Sequence, residues 1–191
     1  MEKVLLHSCC APCSAAIIEW LLKNEIEPVL YYFNPNIFPE AEYEKRKAEL
    51  TRYCEKQGLT VIDGDWTHKE WLESVKGYEQ EPERGARCQI CFNVRMMATA
   101  RKCKELGIKR FTTSLASSRW KTLQQVDSAG MAAAKAVGDV EYWAKNWRKD
   151  GLQERRGELL KLNGFYNQQW CGCEFSMGHL FVKQLKSTET E

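Results

Sequence analysis

Val4-Leu5-Leu6-His7-Ser8-Cys9-Cys10-Ala11-Pro12-Cys13-Ser14 is the stretch whose reading decides the fold. The apolar run from Val4 to His7 is short and ends in a turn, so it reads as a strand. Pro12 suits the first turn of a helix, where its missing N–H is not needed. Beyond it Ala15, Ile17, Ile18, Leu21 and Leu22 recur at helical spacing. Strand passes directly into helix, and three cysteines occupy the junction.

The same alternation continues along the chain. Pro28 to Phe33 is β-branched and aromatic, hence a second strand, and Asn34-Pro35-Asn36 closes it with turn residues. A charged helix follows from about Glu40 to Gln57, then a short strand over Leu59 to Ile62 and a helix over Trp66 to Val75. Gly77 to Arg87 reads as a loop long enough to be functional. The pattern from Cys88 to Leu106 is helical and stops at Gly107. Arg110 to Thr113 forms a strand, Leu123 to Val137 a helix stopping at Gly138, and Val140 to Ala144 a last strand. Such alternation implies parallel strands joined by right-handed crossovers with helices on both faces. The expected class is therefore α/β, a Rossmann-like (HUP-like) three-layer αβα sandwich with a mostly parallel sheet. Open sheets of this kind bind ligands outside the carboxyl ends of their strands, where Cys9 and Cys10 fall.

A chain of 191 residues fits a single domain, 1–191. No stretch approaches the ~18 consecutive apolar residues of a membrane span, and the N-terminal apolar run is too short for an export signal. A cytoplasmic protein is expected, where thiols stay reduced. Nine cysteines in such a protein point to metal ligation or redox chemistry rather than to a disulfide scaffold. The formal net charge is +2, but Arg84 to Lys121 holds ten Lys/Arg against the single acid Glu105. That block is an electrostatic footprint for a polyanion, or else a solvated helix face.

The cysteines fall at distinct places. His7-Ser8-Cys9-Cys10-Ala11-Pro12-Cys13 and Arg87-Cys88-Gln89-Ile90-Cys91 both sit at expected helix starts, where free N–H groups and the helix dipole lower thiol pKa values. Two Cys-x-x-Cys pairs, Cys10/Cys13 and Cys88/Cys91, can make a tetrahedral zinc site. The pairs lie far apart in the chain, however, and Cys9 exceeds what a closed zinc site needs. An iron-sulfur cluster held by four thiolates fits the spacing better, although the soft ligand set admits both metals. Cys171-Gly172-Cys173 is different: one glycine allows the two sulfurs to meet in a strained, labile disulfide suited to two-electron exchange, or else the two are unrelated buried thiols beside a turn glycine. Cys54 and Cys103, alone inside helices, read as small buried hydrophobes. His68 and His179 have no partner at ligand spacing, and His7 either orients a ligand or simply packs.

Asn34 to Pro39 is expected to rim the site, with Tyr43 and Arg46 one helical turn apart as candidate contacts. Trp143, Trp147, Arg148, Lys149, Arg155 and Arg156 mix aromatic and basic side chains as single-stranded nucleic-acid surfaces do, yet Trp143 and Trp147 also have core spacing. The polar tail from Lys186 to Glu191 is expected to fray.

Five motifs in this order carry a resemblance: His7-x-Cys9-Cys10-Ala-Pro-Cys13, Tyr32-Phe-Asn34-Pro35-Asn36-Ile37, Glu42-Tyr43-x-x-Arg46, Arg87-Cys88-x-x-Cys91-Phe92 and Cys171-Gly172-Cys173-x-Phe175-Ser176. The chain resembles the QueH-type, cobalamin-independent epoxyqueuosine reductases over nearly its whole length. The resemblance implies reduction of epoxyqueuosine to queuosine at the wobble position of tRNA, with an electron donor yet to be identified. It implies a [4Fe-4S] cluster held by Cys9, Cys10, Cys88 and Cys91, and a redox-active pair Cys171 and Cys173. It also implies a second iron ion, with Cys13 as its candidate ligand, because some relatives carry an acidic residue there. Ser118-Arg119-Trp120-Lys121 and Asn167 depart from the common family pattern, which puts the substrate contacts in doubt and leaves the cysteines untouched. The competing readings are a zinc-stabilised RNA-binding module and a sulfurtransferase-like tRNA-modifying enzyme on the same fold. The second lacks its pyrophosphate loop, since Cys9-Cys10-Ala-Pro stands in that place.

Overall fold

A computed structural model describes residues 1–177, so His179 and the polar tail lie outside the described residues. Five strands form one sheet in the order β3-β2-β1-β4-β5, with every neighbouring pair parallel: β1 (Glu2–His7), β2 (Ile26–Tyr32), β3 (Val61–Asp63), β4 (Arg110–Thr113) and β5 (Glu141–Tyr142). Val4, Leu5 and Leu6 of the central β1 are fully buried, which is why that strand reads as an unbroken apolar run rather than an alternating one. Register brings His7 level with Tyr31 on one side and Thr113 on the other.

The chain first moves outward from β1 through α1 (Ala11–Lys23) to β2 and through α2 (Glu40–Lys56) to β3. It then passes through α3 (His68–Ser74) and α4 (Ala86–Glu105), back over the sheet to β4, and on through α5 (Leu123–Val137) to β5. Travel in opposite directions with right-handed crossovers puts α1 and α2 on one face and α4 and α5 on the other. The packing agrees: α1 lies against α2 and α4 against α5. The expected three-layer α/β sandwich is therefore present.

One element was not legible, α6 (Leu152–Leu162), which packs on α1. The approach to it corrects the reading of Trp143 and Trp147 as a stacking surface. Both join Trp20 in an aromatic cluster with ring centroids 5.5–5.9 Å apart. Trp147 is buried, and its indole N–H donates to Thr112 Oγ1 at 3.0 Å. Their spacing of four serves the core.

Gly130 lets α5 approach β5: a Cβ there would stand 2.5 Å from the ring of Tyr142, whose hydroxyl is tied to Asp127 at 2.9 Å. Overpacking of this kind costs about 1–3 kcal/mol. Gly130→Ala is therefore expected to lower the unfolding free energy by that amount, seen as a lower urea midpoint at unchanged slope. A midpoint equal to the parent's would show that the ring yields freely.

Candidate thiol and metal site at the switch point of the sheet

β1 is flanked by β2, reached by the outward crossovers, and by β4, reached by the returning one. The crevice at its carboxyl end is the topological switch point, the place where open α/β sheets bind ligands. Cys9 sits there. Its backbone N–H donates to Ser114 Oγ at 2.9 Å, and the same hydroxyl donates to Cys9 Sγ at 3.2 Å, so the ends of β1 and β4 are fastened to each other through the thiol-bearing residue. Asn34, fully buried at the end of β2, donates to Ser8 O at 3.0 Å and braces the same turn from the other side. His7 closes the base. Its Nε2–H donates to Phe33 O at 2.9 Å, so Nδ1 must accept from Thr113 Oγ1 at 2.8 Å. Burial, then the charge of Arg95, holds its pKa near 3. His7 is a neutral structural residue with both nitrogens engaged.

Cys10 caps α1, and Cys13 lies in its first turn behind Pro12. The sulfurs of Cys9, Cys10 and Cys13 all lie within 4.8 Å of one another, Cys9 and Cys10 at 3.8 Å, which is a trio able to hold a metal ion. The expectation that helix starts lower every thiol is corrected, because burial wins at most of them. Cys10 is raised by burial, as is Cys88 in the first turn of α4. Cys13 is pushed up to about 11: the hydrogen bond with Cys10 pulls it down, but the bond with Cys9 and burial together outweigh that. Cys9 alone of the trio is held well below the thiol range, by hydrogen bonds from Cys10 and Cys13, with Arg95 and Ser114 adding to them.

Cys88 and Cys91 stand outside the tight trio. Cys91 and Cys173 are buried in a small apolar cluster with Trp71 and Val75, against which Cys171 and Phe175 pack. Within this second group Cys171 is the low thiol, held down by a hydrogen bond from Cys173 and by Lys121 and Ser176; Cys173 is raised by that same bond and by burial. Both cysteines of the Cys-Gly-Cys segment are free thiols here. Cys171 lines a cavity of about 270 Å³ together with Cys9 and Cys13, and also an adjoining one with Cys88. It thus stands between the two groups of cysteines.

The segment that carries Cys171 is held to the chain after β2. Phe38 N–H donates to Gly172 O at 2.9 Å, Ile37 and Cys173 form an antiparallel bridge, and His68 lies between Pro35 O at 2.7 Å and Glu174 Oε1 at 2.8 Å. Arg46, only 3% exposed, donates to Cys171 O and Trp170 O at 3.2 and 3.3 Å and is itself held by Glu42 at 2.7 Å. Of the two contacts expected from α2, Arg46 reaches the cavity. Tyr43 turns instead to Asp63, 2.9 Å away. The role of His68 had no signal in the sequence, because its carboxylate partner lies 106 residues away.

Five basic side chains, Arg46, Arg95, Arg119, Lys121 and Arg156, line the larger of these two cavities, and among the described residues no acid does. This corrects the picture of one positive face over 84–121. α4 is about 30 Å long, with Cys88 near one end and Arg101, Lys102 and Lys104 near the other. At that far end Lys102 pairs with Glu105 and Lys104 with Asp139, while Arg110 pairs with Glu2. The positive charge at the site is assembled from separate segments instead. Arg95 is the telling member: it is 2% exposed, donates to Asn34 Oδ1 at 2.5 Å, leaves its Nε without a partner, and has no carboxylate within ion-pairing distance among the described residues. A buried charge left uncompensated is strongly unfavourable, so the site is built to contain negative charge. Cys54 and Cys103 take no part; burial pushes each up to about 12.

Gly172 has φ +103°, and a Cβ there would stand 2.8 Å from Ile37 Cγ1 and 3.2 Å from Arg46 Nη1. Gly172→Ala is expected to cost about 1–3 kcal/mol and to speed hydrogen exchange at the Phe38 amide, whose acceptor is Gly172 O. Exchange at the parent rate would mean that the clamp does not depend on this glycine.

A family model described as epoxyqueuosine reductase QueH matches residues 4–179. Several proteins named epoxyqueuosine reductase QueH are similar to this chain. That of Acinetobacter baylyi is 44% identical over 92% of this chain and 81% of its own, and that of Haemophilus influenzae is 45% identical over 92% and 72%. The Thermotoga maritima protein is 33% identical over 93% and 91%. With its thiols gathered at the sheet's switch point and its length matched almost end to end, the chain belongs to the QueH epoxyqueuosine reductase family.

Proposed function

We propose that this protein reduces epoxyqueuosine to queuosine in tRNA, using a [4Fe-4S] cluster held by Cys9, Cys10, Cys88 and Cys91 and a redox-active pair formed by Cys171 and Cys173. The observation that carries this reading is the thiol trio beside Arg95, a guanidinium sealed from water with no carboxylate paired to it among the described residues. Thiolates bound to iron carry net negative charge, and that is what Arg95 lacks. The donor set is soft, as iron-sulfur chemistry requires. Cys13 belongs to the trio without being among those four ligands, which suits it to a second iron ion.

When bound, the cluster supplies electrons one at a time, and its iron an electrophile for the epoxide oxygen. The remaining roles fall to the chain. Conversion of an epoxide to an alkene and water consumes two electrons and two protons. Oxidation of two thiols to a disulfide releases the same, so Cys171 and Cys173 balance the reaction, and an electron donor then restores the dithiol. Cys171 faces the cavity that also exposes Cys9 and Cys13, and Lys121 and Ser176 favour its thiolate. Arg46 fixes the carbonyl of Cys171 and so sets where its sulfur stands. The basic lining admits the phosphates of an RNA loop, whose unstacked bases a protein can read. A closed structural zinc site would leave unexplained why Cys9, Cys13 and Cys171 line one open cavity.

Turnover of epoxyqueuosine-containing tRNA, followed by nucleoside mass spectrometry, tests the activity. The parent should yield queuosine, and Cys171→Ser and Cys173→Ser should each lose at least about a hundredfold in rate; conversion by either variant at the parent rate would remove the dithiol from the reaction. Arg95→Met tests the charge argument separately. Losing a nearby cation should shift the centre's reduction potential negative by tens of millivolts, read by spectroelectrochemistry. An unmoved potential would show that Arg95 balances something else.

A further inference from the structure

Trp120 is unused by the reading above and is 46% exposed, against the 1% of the core residue Trp147. Its carbonyl accepts from Arg84 Nε at 3.0 Å, and the Arg119 guanidinium lies 5.9 Å from its ring centroid. Trp120, Lys121, Gln169, Trp170 and Cys171 line both the thiol cavity and the adjoining cavity of about 190 Å³, so these five residues form the wall between them. The second cavity adds Arg84, Phe92, Cys88 and Glu83. Lys121 Nζ lies 5.5 Å from the Phe92 ring. Three aromatic residues and two cations therefore surround a space that touches the reacting site.

Aromatic faces beside cations are what proteins present to unpaired bases and their phosphates, because every base has a π-face and every nucleotide an anionic link. A reacting nucleotide that reaches the thiol cavity must leave its stack, and the chain on one side of it has to continue past the shared wall. We infer that the second cavity receives the nucleobase next to the modified one in the RNA chain, with Trp120 as its stacking partner and Arg84 and Lys121 on the backbone phosphates. This rests on the reading of the site as a tRNA reductase, and it adds a specificity-determining subsite to it.

The test is a thermodynamic cycle on the full chain, purified anaerobically, with anticodon stem-loop RNAs that carry the modified nucleoside. Three RNAs are compared: the intact one, one abasic on the 5′ side of the modified nucleotide and one abasic on the 3′ side. Dissociation constants are measured for the parent, Trp120→Ala and Trp120→Phe. One abasic RNA should bind the parent roughly 5- to 150-fold more weakly, the loss of one stacked base. Trp120→Ala should lose a similar factor on intact RNA and nothing further on that abasic RNA, while Trp120→Phe recovers most of the loss. Losses that multiply independently, or abasic RNAs that bind the parent as well as intact RNA, would overturn the subsite and leave the reductase reading intact. Failure of the parent to bind or reduce intact modified RNA would overturn both.

Discussion

A positive charge enclosed beside a cluster of sulfurs organises this molecule. Arg95 reaches from the middle of α4 to the end of β2, where it meets Asn34, and Asn34 in turn braces Ser8 at the end of β1. That chain of hydrogen bonds fixes the turn that carries Cys9, and the guanidinium then adds to the lowering of the Cys9 thiol by its hydrogen bonds with Cys10 and Cys13. Placing a charge of this kind in the interior without a carboxylate is tolerable only if the neighbouring site holds a compensating anion. The arrangement reads as a binding site whose occupant is part of the charge balance of the fold.

The second group of thiols is organised by position rather than by charge. Gly172 allows Cys171 and Cys173 to lie against Ile37 and Arg46 without a colliding Cβ, and the bridge from Ile37 to Cys173 makes the last described segment behave as an extension of the rim. Arg46 serves here through backbone carbonyls, so its contribution is geometric. Within each group one thiol is lowered and its neighbour raised, because a thiolate is stabilised by the hydrogen bond that the neighbouring thiol donates. Cys9 and Cys171, the two lowered ones, line the same cavity.

Much of this was legible in the chain. The strand-to-helix junction at Cys9 declared itself because its signals are local: an apolar run, a turn, and a proline where a helix begins. Cysteine is rare enough that its grouping pointed to the chemistry directly. What was lost depended on distance. The basic block looked like one surface because neighbours in sequence were treated as neighbours in space, yet a helix of α4's length carries Lys102 and Lys104 away from Cys88. Arg95 gave no sign of its isolation, since among the described residues its one side-chain hydrogen-bond partner, Asn34, lies on another element and no carboxylate pairs with it. Trp143 and Trp147 allowed two readings at their spacing, and packing against Trp20 chose between them. The lowering expected of every helix-start thiol failed at Cys10 and Cys88 because burial opposes ionisation more strongly than a helix end favours it, and at Cys13 because the hydrogen bond with Cys9 adds to burial.

Analysis of iron and acid-labile sulfide in anaerobically purified protein examines the central claim most directly. About four labile sulfides per chain are expected, the complement of a cubane cluster, with about four irons, or five when the second ion is bound, and both should collapse when Cys9 is replaced by serine. Stoichiometric zinc without labile sulfide, or a cluster that survives the loss of Cys9, would contradict it.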